Sequence, residues 1–155
     1  SMEEAASGLY SAYSERLTGS RDFWAKLAAE ELQHATLLKG MYKILDQGRV
    51  FRNVERFNRK DIEADIRVIL NAEFVARHGK LSPHDAVNTA LRIERAITEN
   101  GFYATVTSDA PEFAVIATRL VGCTKEHLRR LDQEAGRSID LGAEAQDDVP
   151  IPRKR

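Results

Sequence analysis

Between about Arg21 and Gln47 the chain repeats apolar residues at helical spacing: Trp24, Leu27, Ala28, Ala35, Leu38, Met41 and Leu45. The same stripe carries Glu31 and His34. A stripe this long predicts an amphipathic helix that must bury one face against partners. A carboxylate and an imidazole inside that face narrow the choice further. Burying an unpaired carboxylate is costly, so the group must be protonated, paired or bound to a cation.

Helical periodicity recurs four more times. A first helix over roughly residues 2 to 17 carries Ala6, Leu9, Tyr13 and Leu17. Thr18-Gly19-Ser20 interrupts it, and Ser20 or Asp22 can cap the long helix that follows, with Gly48 as its stop. A shorter helix is expected from about Asp61 to His78, ending at Gly79. Ser82-Pro83 predicts a cap with proline at the first helical position, opening a helix with Val87, Ala90, Leu91, Glu94 and Ile97. The turn "TSDAPE" precedes a last helix with Phe113, Ile116, Leu120, Thr124, His127 and Leu131, which Gly136 is expected to end. Strand signals are scarce, because no run alternates β-branched residues convincingly.

The pattern predicts an all-α fold of two helical hairpins, joined by a link of about 35 residues that holds its own helix. Short loops make antiparallel neighbours, and one long crossover is what a four-helix bundle of this connectivity requires. Residues 1–135 form the expected bundle, and the charged, proline-bearing segment 136–155 is expected to be disordered.

Composition bounds the function. Apolar residues make up 43% and charged residues 30%, as in soluble domains, and no apolar run approaches the roughly 20 residues of a membrane span. A formal net charge of -1 gives no reason to expect nucleic acid or an anionic membrane as partner. The single cysteine, Cys123, rules out an internal disulfide and a four-cysteine iron site within the chain, so a metal must use nitrogen and oxygen ligands. No leader peptide is legible, and the Ser-Met start reads as a cloning remnant; with one cysteine, this points to a reducing cytoplasm.

Each polar residue on a stripe can be tested by its neighbours three, four and seven positions away. Glu31 is surrounded by Trp24, Leu27, Ala28, Ala35 and Leu38, so it points inward, and His34 shares its face. Glu30 has Lys26 and Gln33 nearby and is assigned to water or a flank. Glu94 and His127 lie on apolar stripes, whereas Glu126 sits among Arg119, Arg129 and Arg130 on the charged side. Glu3 projects beside Ala6 and Tyr10. Three inward carboxylates and two imidazoles make little sense as packing, and a cation at their centre resolves the conflict. The halves also repeat: Glu3 precedes His34 by 31 residues, and Glu94 precedes His127 by 33.

At these residues the chain resembles the ferritin-like superfamily, specifically rubrerythrin-like di-iron proteins. The resemblance spans roughly residues 3 to 132, through "EEAASGLYSAY", "FWAKLAAEELQHATLL", "DAVNTALRIERAI" and "TKEHLRRL". Glu3, Ala6 and Tyr10 match the first-helix spacing, and Glu31 with His34 matches the Glu-x-x-His pair. The resemblance implies metal ligation by Glu3, Glu31, His34, Glu94 and His127, with Glu31 bridging, Glu3 and Glu94 terminal, and each histidine on one ion. Thr124 stands where the family carries a second bridging glutamate, so the set is one carboxylate short.

The implied cofactor is iron, as two ions or as one if the site is degenerate, with manganese or zinc as substitutes. The implied activity is peroxide or oxygen reduction, or ferrous oxidation, with an external electron donor because the cysteines of an iron relay are missing. The family also implies a homodimer. Two alternatives stand beside this: a metal-binding or storage protein without efficient turnover, and a metal-free helical interaction module. Tyr10 and Tyr13 are read first as packing, with hydrogen bonding to inward carboxylates as the alternative.

Overall fold

The computed structural model describes residues 1–46, 50–52, 59–100, 106–108 and 111–144. Among the described residues five helices dominate: α1 (Met2–Arg16), α2 (Arg21–Asp46), α3 (Arg59–His78), α4 (Pro83–Asn100) and α5 (Pro111–Glu144). A 3-10 turn at Thr18–Ser20 separates α1 from α2. The all-α class expected from the stripes is what the described residues show. Among them, no helix is long and apolar enough to cross a membrane.

The helix starts follow local chemistry. Ser1 caps α1 with a reciprocal capping box to Glu4. At α4, the Asp85 amide donates to Ser82 Oγ at 3.1 Å, and Pro83 occupies the first turn, where its missing N–H is not needed. Arg16, at the end of α1, donates to the carbonyls of Ala76 and Gly79 at 3.1 Å, satisfying acceptors that the end of α3 leaves open.

Two boundaries differ from expectation. Helix α5 does not stop at Gly136 but runs on to Glu144. A mid-helix glycine costs only about 1 kcal/mol relative to alanine, which a long helix can absorb. The start of the segment expected to be disordered is therefore helical, and residues 145–155 lie outside the described residues. Second, Val50–Arg52 (β1) and Val106–Ser108 (β2) form a short antiparallel ribbon, with Phe51 opposite Thr107. Three-residue runs are too short to display the period-2 pattern that announces a strand. Part of the predicted "TSDAPE" turn is thus strand, and α5 opens at its Pro111. The expected stop at Gly48 and residues 53–58 of the long link lie outside the described residues.

One core runs through the molecule. Leu9, Tyr10 and Tyr13 of α1 meet Trp24, Leu27 and Met41 of α2, Ile69 of α3, Val87 and Ile97 of α4, and Leu120 and Leu131 of α5. Helix α1 packs most extensively on α2 and then on α3, while α4 packs on α5. Contacts between α2 and α5, and between α1 and α4, join these groups. The polar residues of the stripes are thereby brought to a common interior.

Candidate metal centre

Helix periodicity delivers the polar side chains. Helix α1 supplies Glu3, α2 supplies Glu31 and His34, α4 supplies Glu94, and α5 supplies Thr124 and His127. All six are buried, and Glu31, Glu94 and His127 are only 1%, 0% and 2% exposed.

Three of them converge. Ligand atoms of Glu31, His34 and His127 lie within 4.8 Å of one another, an arrangement that could hold a metal ion. One oxygen serves both rings: Glu31 Oε1 is 2.8 Å from His127 Nδ1 and 3.2 Å from His34 Nδ1. The imidazole centroids are 5.1 Å apart. Glu94 flanks this group, with its Oε1 3.4 Å from His127 Nδ1. Although two carboxylates crowd His127 Nδ1, its geometry gives it no hydrogen bond among the described residues, and Glu94 Oε2 has no partner among them either. Buried polar atoms are rarely left so. A ring nitrogen close to carboxylate oxygens but out of line with them fits donors arranged around a shared cation. Glu3 is buried and lies outside the converging group of three.

The tyrosines divide the roles considered for them. Tyr10 donates its hydroxyl to Glu94 Oε1 at 2.9 Å, so it reaches the site as well as packing. Burial, reinforced by the Glu94 charge, pushes the Tyr10 pKa well above its ordinary value, so it stays a donor. Tyr13 instead packs edge-on against Trp24, with ring centroids 4.9 Å apart. Thr124 turns its hydroxyl back to the Leu120 carbonyl at 3.0 Å.

Burial and charge compete at each ionisable group. Burial raises the Glu3 carboxyl, and the nearby Glu31 charge adds to the rise. Burial also raises Glu94, and the Glu31 charge acts in the same direction. Burial would raise Glu31 too, but contact with His127 and His34 wins, and its pKa falls below 4.5. For His127 burial opposes the cation, yet Glu31 and Glu94 push its pKa up to about 10.

These shifts set a pH window. A raised histidine stabilises the fold fully below its ordinary 6.5 and loses that contribution as pH climbs through about 10. A depressed carboxyl stabilises above its ordinary 4.5 and loses that contribution as pH falls through its lower folded value. The Glu31–His127 pair therefore contributes most between 4.5 and 6.5. Glu94, with a raised pKa, works in the opposite sense, disfavouring the fold as it ionises. Urea midpoints of metal-free protein should fall from pH 6.5 toward pH 10. A midpoint that rises over this range would contradict the pairing.

Glu30 corrects the sequence reading. It is not left to water: His127 Nε2 lies 3.1 Å from Glu30 Oε2, and Arg130 closes on the same carboxylate. Sharing a proton between Nε2 and Glu30 leaves Nδ1 to face inward with its lone pair once the ring is neutral. Glu30→Ala is expected to weaken metal affinity by about 10- to 100-fold, the usual effect of losing such an orienting partner. Isothermal titration with Zn(II) would measure it, and unchanged affinity would remove the orienting role.

Other residues fall elsewhere. Glu126 pairs with Arg129 at 2.8 Å on the charged side, as expected. Glu73, one residue that could have compensated Thr124, is paired with Arg77 at 3.0 Å and abuts Gly8 of α1. The side chain of Glu99 lies outside the described residues. His78 bonds the Phe74 carbonyl and His84 contacts Asn88, both at the surface. Cys123 is half-buried and lines a cleft of about 530 Å3 between α2 and α5, beside His34 and His127. No family model matches the chain, and no curated protein or solved structure is significantly similar to it.

Proposed function

We propose that the chain is a non-haem metal protein of the ferritin-like, rubrerythrin-like kind. In this reading α1, α2, α4 and α5 form an antiparallel four-helix bundle, and α3 is the helix within the crossover. The observation that carries it is the shared oxygen of Glu31, held between His34 and His127 in a buried site. Imidazole and carboxylate donors suit iron, manganese or zinc, and iron would supply electron transfer to oxygen or peroxide.

The proposed activity is peroxide or oxygen reduction, or ferrous oxidation. Reducing one peroxide to two waters takes two electrons and two protons. No cysteine cluster is available to relay those electrons, so an external donor is part of the proposal, as are a homodimer and a cytoplasmic setting. Storage without turnover is the second reading, favoured by Thr124, which brings no charge to the site.

The test is metal content by elemental analysis after expression with added iron. Peroxide consumption with a chemical reductant would be followed beside a Glu31→Ala, His34→Ala double variant. Iron that persists in the double variant, or its absence from the parent protein, would overturn the reading. Bound iron without peroxide consumption or ferrous oxidation above that of free iron would select the storage reading.

A further inference from the structure

The converging donors contain two imidazoles but only one carboxylate, and a single oxygen of that carboxylate faces both rings. A two-ion site would need each histidine to serve its own ion, with carboxylates spanning the pair. Here the spanning groups are short. Thr124 offers a neutral hydroxyl whose hydrogen goes to Leu120 O at 3.0 Å. Glu94 is held by Tyr10 at 2.9 Å and stands outside the converging group, as does Glu3.

We infer that the centre takes one divalent ion, shared by His34, His127 and Glu31, with its remaining positions open to exogenous ligands. Two imidazoles and one carboxylate are a recurrent donor set for a single Fe(II) with exchangeable positions. His34 and His127 also line the α2–α5 cleft, where His127 meets Glu30 through Nε2, so the ion lies on the inner, Nδ1 side of that ring. This inference rests on the metal reading proposed above.

Co(II) titration of the metal-free full chain tests it, followed by visible absorption and by elemental analysis after desalting. The expected stoichiometry is one ion per chain. The sharper expectation concerns the histidines: His34→Gln and His127→Gln should each abolish binding, because both rings serve the same ion. Circular dichroism and urea midpoints would confirm that each variant remains folded, and alanine at the same position, His34→Ala or His127→Ala, would replace a glutamine variant that does not. Two ions in the parent protein, or one ion retained by either folded histidine variant, would overturn the single centre while leaving the metal reading intact. No ion at all would overturn both. Azide added to the Co(II) protein should change its visible spectrum; an unchanged spectrum would overturn the open positions.

Discussion

Truncating Glu31 to alanine is expected to destabilise the metal-free protein by about 3–5 kcal/mol, the range for breaking a buried ion pair from one side. Glu31 Oε1 is the nearest carboxylate oxygen to both buried rings. Without it, His127 keeps Glu94 at 3.4 Å on its inner nitrogen, and His34 loses its only carboxylate among the described residues. The same change should abolish metal binding, since it removes the one carboxylate of the converging set. Urea denaturation at pH 6 measures the first effect, because the Glu31–His127 pair is then fully formed. A loss below about 1 kcal/mol would place the interaction in the range of exposed pairs and contradict its buried character. Glu31→Gln separates charge from volume: it should keep the packing and still lose the metal.

Trp24→Ala should cost about 3–5 kcal/mol, the range for a large aromatic removed from a packed core. The ring is 1% exposed and meets Tyr13, Phe23 and Tyr10 at centroid distances of 4.9, 5.0 and 5.7 Å. Its indole N–H donates to Ser20 Oγ at 3.1 Å, which pins the turn before α2. Trp24→Phe should cost less, because much of the stacking surface survives. The consequence reaches the site: Tyr10 rests on Trp24 and holds Glu94, so a cavity there loosens a hydrogen bond in the polar centre. Thermal denaturation of both variants would show the gradation, and equal losses would mean that the alanine cavity collapses.

The helices were legible because each stripe is long enough for its period to stand out. Inward placement was legible for Glu31, His34, Glu94 and His127, because their own helix neighbours are apolar. Glu30 was not, and the reason is physical. Its neighbours along α2 are polar, and the residues that cover it, His127 and Arg130, come from α5, about a hundred positions away. No local pattern records such a partner. The helix end at Gly136 failed differently: glycine there only permits a stop, and α5 continues through it. The ribbon was invisible because its pairing depends on two distant segments and hardly on either sequence alone.

That ribbon has a consequence for the order in which the chain assembles. Its paired strands are roughly 55 residues apart, so closing it before the helices dock would carry the full entropy of a long loop. Helices α1 and α2, separated by one short turn, can meet early at little entropic cost. The ribbon is then a late fastening. Its backbone hydrogen bonds would report when the halves of the chain have come together, and would be among the first lost when they separate.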